Sequence, residues 1–337
     1  MSKLERAEWL KPLILLALLS QNTSYTLLRR YLTLQSSQNG ERSSGAVDSK
    51  EILLVGEFLK LGVSVYVILT TTETSSFQQT GIRKLFQIAY HSGKMFVLAG
   101  IYLAMNILSF ISLQYIGAGE FSVCAQLKIL STAGFSVLIL GTSLSETKWR
   151  ALALLVIGCI LVAIPGLGSQ SSESNSITLD LLSPVVFLGY GAVLTEVILS
   201  GFASIYFEKI VKSTTEVVSI WERNFQLSLY SIAIYSAMIF YDHNFSASSH
   251  TLPSAFSNWS LLATIVAVLG SLGGLLVAAS LKYADSILKT LATAGAIIIS
   301  TLLGYLFLDG PFSHEVVLGS LVTVLAILNY TKDQSTP

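Results

Sequence analysis

The chain has 337 residues, of which 52% are hydrophobic and only 12% charged, with a mean hydropathy of +0.67. Ordinary soluble domains carry about 25% charged residues, so a soluble two-domain protein is excluded and the composition is that of an integral membrane protein. The 20 basic and 20 acidic residues cancel, which excludes a nucleic-acid partner. Cys124 and Cys159 lie inside apolar runs and supply neither a disulfide framework nor a zinc site.

A helix that crosses a ~30 Å hydrocarbon core needs about 20 mostly apolar residues. Ten stretches meet that length, at roughly 9–34, 51–72, 93–116, 118–141, 147–165, 181–211, 217–241, 258–282, 284–308 and 313–331. The sequence therefore predicts an all-α membrane protein of ten transmembrane helices, embedded in a lipid bilayer. The ~10-residue alternating segments of a β-barrel are missing. The first run is too long for a signal-peptide core and carries Pro12 and Gln21-Asn22-Thr23-Ser24, so it reads as a retained helix. The stretches 118–141 and 284–308 are interrupted by charge. The Ser- and Gly-rich segment 166–180 reads as a flexible connection between two halves, 1–165 and 181–337.

Lys and Arg collect on the cytosolic side of a membrane protein. With an even number of spans and a cytosolic N-terminus, thirteen basic residues fall on that side: Lys3, Arg6, Lys11, Arg83, Lys84, Lys94, Lys148, Arg150, Lys209, Lys212, Arg223, Lys282 and Lys332. Only Arg29, Arg30, Arg42 and Lys50 fall on the other. Both termini are expected in the cytosol. The sequons at Asn244 and Asn258 then fall in or near a lumenal loop.

Three lysines remain inside the membrane: Lys60, Lys128 and Lys289. Two of them belong to an internal repeat. Leu127-Lys128-Ile-Leu130-Ser-Thr132-Ala133-Gly134 recurs as Leu288-Lys289-Thr-Leu291-Ala-Thr293-Ala294-Gly295, with six of eight positions identical at an offset of 161 residues. The copies sit on the fourth and ninth predicted helices, so each half holds five spans. An odd number inserts the second half upside down relative to the first. Inverted repeats of this kind place a transporter's binding site at the repeat interface near the midplane.

A lysine at the bilayer centre costs at least about 2.5–3.5 kcal/mol. Lys128 lies ten residues into its run and Lys289 five into its own. Facing one aqueous cavity, two ammonium groups suit the two negative charges of a diphosphate; paired with Glu120 or Glu57, Lys128 would instead be structural. Tyr102 and Asn106 are four apart and share a helix face, Gln126 precedes Lys128 by two, and Asn224 and Gln226 open the seventh span. Each is a candidate partner for a ribose or a base. Glu57 and Lys60, at i and i+3, read as a structural ion pair. Gly189, Gly191, Gly201, Gly270, Gly273 and Gly274 read as helix-crossing positions.

No catalytic constellation is present in the sequence. His91, His243, His250 and His314 have no metal-ligand spacing, Asp242, Asp285 and Asp309 sit at predicted helix ends, and there is no phosphate-binding loop. Neither an enzyme nor a metal or cofactor is expected.

These residues together resemble the nucleotide-sugar transporters, in the branch of the drug/metabolite transporter superfamily that holds the CMP-sialic acid, UDP-galactose and UDP-N-acetylglucosamine carriers. The resemblance is carried by Gln126-Leu-Lys128-Ile, by Gly201-Phe-Ala-Ser-Ile-Tyr206-Phe207-Glu208-Lys209, by Trp221-Glu-Arg223-Asn224-Phe-Gln226, by Gly273-Gly274-Leu and by Lys282-Tyr283-Ala-Asp285-Ser-Ile-Leu-Lys289. It implies ten helices in two inverted five-helix repeats and residence in the Golgi membrane. It also implies antiport of a cytosolic pyrimidine nucleotide sugar against a lumenal nucleoside monophosphate. UDP-sugars such as UDP-galactose come first among the implied substrates and CMP-sialic acid second; a homodimer is compatible with the family.

By the same resemblance Lys128 and Lys289 contact phosphate, Tyr102 and Asn106 help hold the nucleotide, and Ser200, Gly201 and the Asn224 region line the pocket. Phe121, Ser122, Ala125, Ser228 and Ser286 depart from residues common in the family and bear on base and sugar recognition. Alternative readings are a carrier of sugar phosphates or other organic anions and a non-transporting membrane scaffold.

Overall fold

A computed structural model describes residues 3–38, 49–70, 81–164, 184–213, 218–245, 256, 259–308 and 313–332. Every regular element among them is helical. In chain order they are α1 (Lys3–Gln38), α2 (Ser49–Thr70), α3 (Ile82–Tyr90), α4 (Gly93–Tyr115), α5 (Ala118–Ala125), α6 (Lys128–Phe135, continued by a π-helical turn over Ser136–Leu140), α7 (Glu146–Ala163), α8 (Pro184–Val211), α9 (Ile220–Phe245), α10 (Leu261–Tyr283), α11 (Ser286–Leu308) and α12 (His314–Lys332). The connection 166–180 and the sequon at Asn258 lie outside the described residues.

Seven helical segments among the described residues are long and apolar enough to cross a membrane, where the sequence predicts ten: Ser49–Thr70, Gly93–Tyr115, Glu120–Leu140, Phe187–Val211, Leu261–Tyr283, Ser286–Leu308 and His314–Lys332. The predicted spans 9–34, 147–165 and 217–241 are helical over 9–34, 147–163 and 220–241 but too polar to reach that standard by composition. Gln21-Asn22-Thr23-Ser24 interrupts the first, Glu146, Lys148 and Arg150 open the second, and Glu222-Arg223-Asn224 opens the third. In α9 most of that polarity is turned inward: Glu222, Arg223, Asn224, Gln226 and Ser228 are all buried.

Local chemistry sets the helix starts. A capping side chain satisfies amide protons that the first turn leaves without partners. Ser145 accepts from the Lys148 amide at 3.2 Å, and Ser260 from the Ala263 amide at 3.1 Å. Ser219 and Glu222 cap α9 reciprocally, the Glu222 amide donating to Ser219 Oγ at 3.2 Å and the Ser219 amide to Glu222 Oε2 at 2.8 Å. Gly141 ends the α6 segment at φ 68°, a left-handed conformation that glycine adopts without steric cost.

The chain forms two compact units. One comprises Met1–Ala99 with Ile210–Ala284, the other Gly100–Lys209 with Asp285–Pro337. In the first, α1 and α2 pack on α10, and α2 also packs on α9. Gly273 lets α1 approach, since a Cβ there would lie 2.5 Å from Gln21 Nε2, and the same amide donates to the Leu269 carbonyl at 2.8 Å. Gly274 leaves room for Lys60, whose ammonium meets Glu57 at 2.7 Å, forming the structural pair expected from their spacing. The short α3 is fixed to α9: Ile88 packs with Ile68 and Phe225, and Lys84 pairs with the buried Glu222 at 3.4 Å.

In the second unit, α7 lies along α12 with glycine against glycine. A Cβ on Gly319 would sit 2.7 Å from the Gly158 carbonyl oxygen, and one on Gly158 would collide with Thr323 and lie 3.0 Å from the Gly319 carbonyl. Positions 158 and 319 are 161 residues apart, the offset that relates Lys128 to Lys289. Gly189 likewise meets Ile116 and Tyr115, whereas Gly191 has nothing within 4 Å and is not a crossing point.

Overpacking a close helix contact costs about 1–3 kcal/mol. Gly158→Ala and Gly319→Ala are expected to lower the Tm of the detergent-solubilised protein. Gly62→Ala, in α2 with open space around it, should leave the Tm unchanged or raise it, because alanine favours the helix by roughly 0.5–1 kcal/mol.

Candidate functional site: two lysines and a polar helix stripe

The predicted fourth span is not one continuous α-helix. It turns at Gln126 and Leu127, and α6 restarts with Lys128 as its first residue. Lys289 lies in the first turn of α11. Both lysines are thus at helix starts, and each is followed four residues later by a threonine that donates back to its carbonyl: Thr132 Oγ1 to Lys128 O at 2.7 Å, Thr293 Oγ1 to Lys289 O at 3.0 Å.

The two repeat copies also pack on each other. Ile129 and Ala133 of α6 share one buried cluster with Ile287, Leu291 and Ala294 of α11, sealed by Leu152, Leu155, Val156 and Cys159 of α7. The motif's apolar positions form the crossing, and its lysines emerge beside it.

Helix α8 supplies the facing surface. Glu196, Ser200, Ser204 and Glu208 recur every four residues, which on a helix makes a stripe that drifts slowly around the axis. Gly201 brings this stretch against α6, because a Cβ there would clash with Ser131 Oγ and lie 2.8 Å from the Thr132 amide nitrogen. Ser131 Oγ also reaches the Ile198 carbonyl at 3.5 Å. Lys289 Nζ donates to Ser204 Oγ at 2.6 Å, and Ser286 Oγ to the Ser204 carbonyl at 3.2 Å.

Carboxylates stand at both ends of the stripe. Glu208 is buried and its Oε2 accepts from the Ser286 amide at 2.8 Å, while Asp285 Oδ1 accepts from the Leu288 amide at 2.7 Å. Together they cap α11 immediately before Lys289. Glu196 interacts with the Lys128 charge and with the Ser109 side chain of α4. Lys128 itself forms no salt bridge among the described residues.

Of the residues singled out from the sequence, Tyr102, Asn106, Gln126, Lys128, Ser200, Gly201 and Lys289 belong to the second unit. Tyr102 and Asn106 are half-buried on α4. Gln126 closes α5, its amide donating to the Ser122 carbonyl at 3.0 Å. Gly201 serves as a packing position under the stripe. Asn224 and Gln226 belong to the first unit and are 1% and 0% exposed. Asn224 Nδ2 donates to the Ile220 carbonyl at 3.1 Å. Gln226 Nε2 donates to the Ile88 carbonyl at 2.8 Å and the His91 carbonyl at 3.3 Å, and its Oε1 accepts from Arg223 at 3.2 Å. In this structure Gln226 is an anchor for the end of α3 and has no accessible surface.

No site role was read from the sequence for Glu196, nor for Ser204 and Glu208, which stand in the 201–209 motif that carries the family resemblance. An acidic residue inside an apolar run is itself a signal of function, and the four-residue spacing from Glu196 to Glu208 was the pattern available to find them. Among the described residues no three His, Cys, Asp or Glu side chains gather as a metal site would require.

Two lysines near helix starts, one of them hydrogen-bonded to a serine hydroxyl, within a bundle of apolar helices are the feature that the sequence and the structure both single out. A family model described as nucleotide-sugar transporter matches residues 6–331, and the chain belongs to that family. It is 36% identical to a UDP-N-acetylglucosamine transporter of Mus musculus over 328 residues, covering 96% of each chain. It is 32% identical to a UDP-galactose/UDP-N-acetylglucosamine transporter of Caenorhabditis elegans, covering 97% of this chain and 83% of that one. A UDP-galactose transporter of Schizosaccharomyces pombe is 30% identical, over 97% and 89% of the two chains. A solved crystal structure shares the fold at 16% identity, with a TM-score of 0.65 and 95% coverage of both chains.

Leaving buried hydrogen-bonding groups without a partner costs about 1–3 kcal/mol. Gln226→Ala is therefore expected to lower the Tm and to speed amide hydrogen exchange at the C-terminal end of α3, around Ile88 to His91. Unchanged exchange there would remove the anchoring role.

Proposed function

We propose that the protein carries a UDP-linked sugar across the Golgi membrane in exchange for the nucleoside monophosphate released in the lumen. The observation that carries this reading is the direct packing of the two repeat helices on each other, each with its lysine in the first turn. The printed names of the relatives, UDP-N-acetylglucosamine and UDP-galactose transporters, favour uridine nucleotides and these sugars.

Charge arithmetic supports exchange. The diphosphate of a nucleotide sugar carries two negative charges, and a phosphate monoester carries about −1.5 to −2 at neutral pH. One pair of ammonium groups thus neutralises either passenger. An empty cavity would have to move its lysines through an occluded state with less compensation, which slows return without cargo. Tyr102, Asn106, Gln126 and Ser200 are the proposed contacts to nucleoside and sugar; Asn224 and Gln226, buried in the first unit, are left out of the contact set.

The ten-helix arrangement with two inverted halves, 1–165 and 181–337, joined by 166–180, is part of the same proposal. Three pairs of equivalent residues at the 161-residue offset behave alike and support it: Lys128 with Lys289, Thr132 with Thr293, and Gly158 with Gly319. The last pair touches, as equivalents do only beside a two-fold axis. Transport by alternating access would follow, with both termini on the cytosolic side.

A charge-assisted hydrogen bond contributes about 1.5–3 kcal/mol, so Lys128→Ala and Lys289→Ala should each weaken binding of UMP roughly ten- to a hundredfold while the protein still inserts. Exchange of labelled UDP-sugar in proteoliposomes should fall in parallel; near-normal exchange by both variants would refute the assignment. In a thermal-shift panel, UMP should stabilise the protein more than CMP or GMP. Equal indifference to all three would point to a scaffold, and stabilisation by sugar phosphates without a base preference to a carrier of simpler anions.

A further inference from the structure

The four-residue stripe on α8 ends in a carboxylate that the proposed transport reaction leaves without a role. Glu208, at the other end, is committed to the Ser286 amide. Glu196 is not committed in this way. It lies in the middle of an apolar helix, between Thr195 and Val197, and its Oε2 is buried without a hydrogen-bond partner. The contacts of Gly201 with Ser131 and Thr132, and of Ser131 with the Ile198 carbonyl, lay the 196–201 stretch along the first turn of α6. That turn begins with Lys128. The charged and polar groups facing Glu196 are Lys128 from α6 and Ser109 from α4.

A half-buried carboxylate with one buried, unused oxygen near a half-buried ammonium with no salt bridge among the described residues is a charge balance held at a distance rather than a locked pair. Taking either charge alone into an apolar surrounding is costly, and each lowers the cost of the other. A tight salt bridge would exclude a third party; a looser arrangement leaves Lys128 donors open to an incoming oxyanion.

We propose that Glu196 is the resident counter-charge of Lys128 in the empty carrier, and that substrate phosphate takes its place. The inference rests on the nucleotide-binding role of Lys128 given above and goes beyond it in two ways. Phosphate must compete with Glu196, so the carboxylate holds affinity below what the two lysines alone would give. It also compensates one ammonium when no cargo is bound, which lowers the barrier to returning empty. Glu196 therefore sets how strictly inward movement is tied to outward movement: with it, some net uptake accompanies exchange.

The test is Glu196→Gln, which keeps the shape and an oxygen for Ser109 while removing the charge, with Glu196→Ala as a second variant should the amide disturb folding. A partly exposed ion pair is worth up to about 1 kcal/mol, so UMP and UDP are expected to bind roughly three- to fivefold more tightly to either variant. In proteoliposomes, uptake into vesicles lacking internal nucleotide should fall relative to exchange into UMP-loaded vesicles. The gain in affinity should vanish on a Lys128→Ala background and persist on a Lys289→Ala background. A merely structural glutamate predicts weaker binding or none of these changes, and unchanged or weakened nucleotide affinity in both single variants would overturn the inference. Failure of the wild type to bind UMP or UDP at all would overturn the underlying nucleotide assignment, and the inference with it.

Discussion

An ammonium group inside an apolar helical bundle must meet negative charge, and this protein holds two of them at one crossing. Everything around Lys128 and Lys289 is arranged by that requirement. The helix tightens into i→i+3 hydrogen bonds at Gln126 and Leu127, just ahead of Lys128, and α11 is capped twice, by Asp285 and Glu208, just ahead of Lys289. Apolar faces carry the packing: Ile129 and Ala133 against Ile287, Leu291 and Ala294. Charge and packing are thus separated onto different sides of the same short helices, so the cations can be presented without loosening the core.

The supporting polar groups differ between the two lysines although the sequence around them is nearly the same. Lys289 donates to a serine hydroxyl, and its neighbouring carboxylate is spent on a backbone amide. Lys128 has a carboxylate with an oxygen to spare. A duplicated motif set against one unduplicated stripe of α8 necessarily produces unequal environments. Under the binding role proposed for the two lysines, the asymmetry would give the two ends of a nucleotide sugar different surroundings and so fix its orientation.

Much of this was legible in the sequence. The composition required a membrane protein, the 161-residue offset picked out Lys128 and Lys289, and the i,i+3 spacing gave the Glu57–Lys60 pair. Other features needed coordinates. Seven of the ten expected spans are strongly apolar by length and composition among the described residues, and only coordinates show that the polarity at the start of α9, at Glu222, Arg223 and Gln226, is buried. Gln226 was expected in a pocket but is consumed by the carbonyls at the end of α3, since adjacency to Asn224 in sequence does not say which helix face is open. Glu196 was passed over because it has no twin in the repeat, and the search followed symmetry. Among the glycines, Gly158 and Gly319 mattered most and escaped notice, for a close approach is a property of two helices at once.

The glycine seam between α7 and α12 has an evolutionary corollary. Main chain faces main chain there, so almost any heavier residue at position 158 or 319 would wedge the scaffold apart. On the α8 stripe, by contrast, Glu196 and Ser200 are half-buried rather than packed main chain to main chain. Selection acting on cargo preference therefore has a permissive surface to work with, bolted to a frame that tolerates almost no drift.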